Sequence, residues 1–249
     1  VKKDDKTSSC IYLDENDPIN GNELQFTNKK PYVIYGYAAV PAGKTVYFDP
    51  GSRVHFHANS GLIVSNNASI NVNGTLSPTD KMENEVIFES DRLEPEYSDV
   101  PGQWGTIWLT DVSTNNKLNY LTIKNATIGL LIQNNDGTTT SIKNTQIYNS
   151  SNYGILAQTA KINGENLVIN NAGQASLACS YGGDYKFTHC TFNNNWNSSQ
   201  QVAVSVDNYI LGAVPEAKNL TQATFNNCII YGSYSTEMIL NKKNTAAFE

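Results

Sequence analysis

Two histidines, an acidic run and a few aromatic side chains are the residues here whose types could do chemistry. His55 and His57 alternate with Val54 and Phe56, so on a strand both imidazoles project from one face, where such a pair could ligate a metal. No third ligand accompanies them, and an exposed polar pair is the simpler reading. The acidic run spans Asp80, Glu83, Glu85, Glu89, Asp91, Glu94, Glu96 and Asp99. Its latter part, Asp91, Glu94, Glu96 and Asp99, forms the candidate metal site, and calcium is the ion that clustered carboxylates suit. The spacing follows no established loop motif, so solvated loop charge is the competing explanation. No other cofactor is indicated.

The aromatic residues point to binding. With Ile107 and Leu109 facing inward, Trp108 faces outward beside Thr106. Tyr120 and Tyr148 are expected outward or at corners nearby, so Trp104, Trp108, Tyr120 and Tyr148 are the candidate ligand-binding residues. Aromatic rings on a flat sheet stack on sugar rings. The competing explanation, and the preferred one, is that Trp104 and Trp108 pack beneath the loop over 90–101.

Composition narrows the partners. The chain has 249 residues, 39% hydrophobic and 16% charged, with a net charge of −6 and a pI near 5.1. Arginine occurs only at Arg53 and Arg92. That balance argues against nucleic acid, whose phosphates need a clustered basic face. No window has the apolar length of a membrane span. No signal peptide opens the sequence, so a mature or trimmed chain is expected, with any membrane contact made through a lipid anchor upstream.

The elements that must position these residues are short strands. Val46 and Phe48, Val54 and Phe56, Leu62 and Val64, and Ile70 and Val72 form pairs that recur every eight residues, divided by turn residues. Further on, a longer unit returns: Leu118-Asn-Tyr-Leu121-Thr-Ile123-Lys-Asn125, Ile142-Lys-Asn-Thr145-Gln-Ile147-Tyr-Asn149, Gly164-Glu-Asn-Leu167-Val-Ile169-Asn-Asn171, Phe187-Thr-His-Cys190-Thr-Phe192-Asn-Asn194 and Phe225-Asn-Asn-Cys228-Ile-Ile230-Tyr-Gly232. The first four copies lie about 22–24 residues apart, a solenoid period, and three strand-and-turn units fill such a repeat. Second strands are expected at Leu130–Ile132, Ile155–Ala157, Ser176–Ala178 and Val202–Val204. Ile123, Ile147, Ile169, Phe192 and Ile230 should form an inward apolar ladder. Asn at the corners suits both amide stacking and left-handed backbone. His189 fills a slot held elsewhere by Asn144, Asn166 and Asn227, so its expected role is structural.

The expected fold is therefore all-β, a single-stranded right-handed parallel β-helix with an N-terminal cap. Residues 1–10 read as a flexible tether, 11–45 as the cap and 46–235 as coils, with insertions near 77–101 and 209–221. Of the cysteines, Cys10, Cys179, Cys190 and Cys228, Cys190 and Cys228 share a repeat slot. Buried thiols are favoured there over a disulfide.

The segments Tyr32-Val-Ile-Tyr-Gly36, Val40-Pro-Ala-Gly-Lys-Thr-Val46, Pro50-Gly-Ser-Arg-Val54-His-Phe56 and Pro101-Gly-Gln-Trp-Gly105 resemble the opening coils of right-handed parallel β-helix proteins. The likeness is greatest to surface or periplasmic lipoproteins of Bacteroidetes-type bacteria. It implies a cell-envelope location, periplasmic or at the outer surface, or secretion. Lys2-Lys-Asp-Asp5 is similar to the charged tether that follows a lipidated cysteine in that group. Many parallel β-helix proteins are lyases or hydrolases of acidic polysaccharides. Yet the Asn-Thr-Asp and Gly-His-Gly elements of polygalacturonase-like enzymes are missing here. The outward carboxylates expected on the regular coils, Asp111, Asp136, Glu165, Asp184 and Asp207, are scattered rather than paired as hydrolysis needs. The leading expectation is a non-catalytic glycan-binding or scaffold protein. The alternative is a polysaccharide lyase or glycoside hydrolase using a carboxylate or Lys near residues 80–99. A spacer without any small ligand is a third reading.

Overall fold

A computed structural model describes residues 10–134, 137–197, 200–210 and 216–249. The tether expected over 1–10 lies outside them except for Cys10, as do Asp136 and part of the later insertion, residues 211–215. The chain is all-β, and among the described residues the one helical turn is Pro95–Tyr97. A 21-stranded sheet carries three parallel ladders and curls round an axis.

In the first ladder, Ile11–Tyr12, Tyr37–Val40, Gly61–Val64, Trp104–Leu109, Ala126–Gln133, the start of Tyr153–Ala172, the start of Ala175–Thr188, Val202–Asp207 and Met238–Asn241 pair in turn. The second runs from Gln25–Phe26 through Thr45–Phe48, Ser69–Asn73, Lys117–Asn119 and Thr140–Ser150 to Leu220–Asn226. The third runs from Tyr32–Ile34 through Arg53–Phe56, Val86–Ser90, Leu121–Lys124 and Thr191–Asn194 to Ile229–Gly232. The long strands Tyr153–Ala172 and Ala175–Thr188 turn corners and serve more than one ladder. Residues 11–45, expected as a cap, supply strands to all three ladders. Leu13, Leu24 and Phe26 there are buried in the common core, which is why the segment joins the sheet.

In-register pairing stacks like residues. In the third ladder Val54, Phe88, Ile123, Ile147, Ile169, Phe192 and Ile230 follow one another. All are buried except Ile230 on the final layer. Each side chain meets its counterparts above and below, so one step removes most of its surface from water. Phe48, Phe56, Phe88 and Trp104 pack together in the N-terminal part of the core, with Trp104 stacked on Phe56 at 4.2 Å and 9°.

The corners need a left-handed residue. Tyr120, Asn144, Asn166, His189 and Asn227 hold positive φ in successive layers, as do Asn125, Asn149 and Asn171 at a second corner. Asn tolerates this conformation with little penalty, and its amide adds a bond to the next layer. Asn144 donates to Asn119 Oδ1 at 2.9 Å and Asn166 donates to Asn144 Oδ1 at 2.8 Å. At the second corner Asn171 donates to Asn149 Oδ1 at 2.8 Å. His189 takes the same backbone slot and bonds Asn227 at 3.2 Å, in keeping with a structural role.

Asn144→Val should lower unfolding free energy by roughly 1–3 kcal/mol, through strain at φ > 0 and loss of two amide bonds. Asn144→Gly keeps the φ and should cost less. Urea denaturation of both variants checks the order.

Candidate ligand-binding face

The outward side of the first ladder departs from ordinary alternation. Its inward columns include Leu62, Ile107, Leu130, Ile155, Leu177 and Val204, all fully buried. Between them, on the outward side, runs a second column, apolar at every place but Ser205: Ile63, Trp108, Leu131, Leu156, Ala178, Ser205 and Ile239. Ile63, Trp108, Leu131, Leu156 and Ile239 are half-buried. Beside it Ile128, Tyr153, Ala175 and Val202 form another column. Sheet faces open to water are normally polar; here the apolar run is broken at Ser205, and Ala175, Ala178 and Val202 are buried in a small second cluster against which Tyr153, Leu156 and Ile239 pack.

An amide line borders the strip. Trp108 Nε1 donates to Gln133 Oε1 at 2.8 Å, and Gln133 Nε2 donates to Gln158 Oε1 at 3.0 Å. Farther along, Ser180 Oγ and the Tyr181 amide donate to Asp207, at 3.0 and 2.8 Å. Burial raises the Asp207 carboxyl above the ordinary Asp range, partly offset by those bonds. The first donor chain ties the Trp108 indole to Gln133 and, through it, to Gln158 in the next layer.

Clefts flank the strip. One of about 350 Å³ lies among Tyr37, Asn59, Gln103, Thr106, Thr127 and Ile128. Gln103 Nε2 is used twice, donating to the Tyr97 and Val100 carbonyls at 2.7 Å each. Its Oε1 is buried without a hydrogen-bond partner. A second cleft of about 460 Å³ lies among Tyr153, Gln174, Ala175, Val202, Ser205 and Ile239. Burial raises the Tyr37 and Tyr153 phenols above their ordinary value, so both stay neutral donors at physiological pH.

The four aromatic residues singled out from sequence do not form one platform. Trp108 lies in the strip. Trp104 is 1% exposed, and its Nε1 donates to the Lys124 carbonyl at 2.8 Å; it supports the face from within the core and presents no ring to a ligand. Tyr120 sits at the corner between the second and third ladders, at φ 46°. Tyr148 projects outward from the third ladder, beside Lys124 and Asn170.

Nor does the acidic run close on a single point. Asp91 bonds His57 Nδ1 at 2.7 Å, Glu94 lies 3.6 Å from Arg92, and Asp99 accepts from Asn149 Nδ2 at 3.3 Å. Glu96 lies in the Pro95–Tyr97 turn. Among the described residues no three His, Cys, Asp or Glu side chains gather as a metal site. The loop bearing these acids is tied to the sheet, since Asn125 Nδ2 donates to the Ser98 carbonyl at 2.9 Å. Glu165 pairs with Lys143 at 2.7 Å and Asp184 with Lys161 at 3.6 Å, and Asp111 accepts from Asn134 at 2.6 Å.

A second group forms on the third ladder. Glu89 lies 3.9 Å from His55 and 3.5 Å from Lys124, and the Lys124 ammonium stands 5.9 Å from the Tyr148 ring centre. Desolvation raises the Tyr148 phenol, with the Lys124 charge opposing it. Lys124 and Tyr148 occupy one slot of the sequence repeat, a signal that places them together. The strip was signalled too, since Leu130–Ile132 and Ile155–Ala157 are unbroken apolar triplets where one-sided strands would alternate.

No family model, no curated protein and no solved structure matches this chain.

Trp104→Ala should cost about 3–5 kcal/mol, as a large buried aromatic. Trp108→Ala, half-exposed, should cost clearly less. Guanidinium unfolding of the two variants distinguishes core from surface roles.

Proposed function

We propose that this chain is a non-catalytic glycan-binding or scaffold protein of the cell envelope, built as a right-handed parallel β-helix. The supporting observation is the outward strip on the first ladder, with Trp108 held by an amide line and clefts on its flanks. From Ile63 to Ile239 the column has seven members, a run of about 29 Å at one strand spacing per step. A surface that long and open suits an extended polymer better than a compact metabolite. Polysaccharides present what it needs: apolar ring faces for Trp108, Leu131 and Leu156, and hydroxyls for Gln133, Gln158 and the orphan Gln103 acceptor. The resemblance of the opening segments to surface lipoproteins supports a location in the envelope or outside it, with a lipid anchor upstream.

The second reading is a lyase or hydrolase acting on an acidic polysaccharide. It draws on the column His55, Glu89, Lys124 and Tyr148, which holds a carboxylate, an amine and a phenol within one neighbourhood. Glu89 is shared between two bases there, which favours mutual neutralisation over a free base.

Retardation in gels cast with neutral and uronate-rich polysaccharides tests the binding reading. At least one polymer should slow the wild type, and Trp108→Ala should weaken that retardation about tenfold, the loss of one stacked aromatic. No retardation by any polymer, or full retardation of Trp108→Ala, overturns it. New unsaturated or reducing ends that vanish in Lys124→Met would replace it with the lyase or hydrolase reading.

A further inference from the structure

Cys190 and Cys228 occupy equivalent slots in the last two layers of the third ladder. Thr191 pairs with Ile229 and Phe192 with Ile230, and the Ile229 amide donates to the Cys190 carbonyl at 2.8 Å. The residues just before them, His189 and Asn227, share left-handed backbone at φ 56° and 52°. Equal backbone conformation sends the two Cβ atoms in the same direction, one above the other. Neighbouring strands lie about 4.8 Å apart, within the span of about 4.4–6.8 Å that disulfide-linked Cα atoms occupy. Both are thiols in this structure. Cys190 is 1% exposed and Cys228 is half-buried, within reach of solvent.

The layer that carries Cys228 has the most to gain from a link. Ile230, Phe225 and Met238 are only partly buried against the core, and Ile229, Tyr231 and Leu240 are exposed. Side chains so incompletely covered hold a layer less firmly, so this layer opens more readily than those within the sheet.

We propose that Cys190 and Cys228 are a disulfide-forming pair that fastens the final layer to the rest of the sheet when the protein meets a low-molecular-weight disulfide such as oxidised glutathione. The Cys228 thiolate attacks one sulfur of that disulfide, releasing one glutathione thiolate and leaving a mixed disulfide on Cys228. The Cys190 thiolate then attacks the Cys228 sulfur and expels the second glutathione thiolate. Two protein thiols become one disulfide, one glutathione disulfide becomes two thiols, and the two protons pass to the released glutathione. Burial pushes the Cys190 thiol up to about 11, so ring closure is the slower step and quickens as pH rises toward that value.

The folded full chain is incubated with glutathione disulfide, denatured, alkylated with a maleimide and mapped by mass spectrometry. Four free thiols should fall by two, with the Cys190 and Cys228 peptides joined and no glutathione retained. Closure should be faster at pH 9 than at pH 7. The oxidised wild type should melt about 5–10 °C above its reduced form, and reduction should reverse the gain. Cys228→Ser, altered at a half-buried site, should melt near the reduced wild type and show no gain on oxidation. Four alkylated thiols after oxidation, a link to Cys10 or Cys179, or a lasting glutathione adduct on Cys228 overturns the proposal. Wild-type oxidation alone decides the matter should the variant fail to fold.

Discussion

In-register stacking at the corners is the constraint on which the rest of this structure depends. A layer repeats only when the backbone turns at the same places each time, and each turn demands a left-handed residue. Asn meets that demand cheaply and bonds across layers: Asn166 donates to its counterpart Asn144, and Asn144 donates to Asn119, next to the corner residue of the layer before. Once the corners coincide, the strands between them pair in parallel without further instruction. The inward columns then bury themselves, because every Ile or Phe lands on its equivalent.

The same constraint makes the outer surface a set of parallel columns, each with its own chemistry. The second ladder carries polar and charged positions, such as the Lys143–Glu165 pair. The third carries an ion-paired column around Glu89. The first carries apolar side chains bordered by amides. A ligand lying along the axis would therefore meet one repeated chemistry over several layers. Multiplying a weak contact in this way suits a polymer, since many modest contacts add while the rigid sheet loses little entropy on binding.

The departures from regularity concentrate at the ends and at the insertion. The loop after Val86–Ser90 is stitched down by Gln103, Asn125 and Asn149, and it places the Gln103 side chain at the edge of a cleft. That leaves Gln103 Oε1 buried and unpaired, a cost of about 1–3 kcal/mol that a ligand hydroxyl would relieve. At the other end the final layer keeps its inward residues only partly covered, which is where the Cys190–Cys228 pair lies.

Strand positions, the repeat and the inward ladder were legible in the residues alone, because period-two alternation and an Asn-marked repeat both report backbone geometry directly. Ile123, Ile147 and Ile169 are stacked as their spacing requires. Outward residues in one slot of the repeat, such as Lys124 and Tyr148, were legible as neighbours; outside the repeat, which residues share a face was not, because that depends on register between strands far apart in sequence. Trp104 and Trp108 look alike in the chain, yet a register shift after Thr106 accompanies one ring in the core and the other on the surface. Asp91, Glu94, Glu96 and Asp99 lie close in sequence, but the loop gives Asp91, Glu94 and Asp99 separate partners. Local chemistry determined the layers; the long-range stacking of one layer on the next decided which side chains meet.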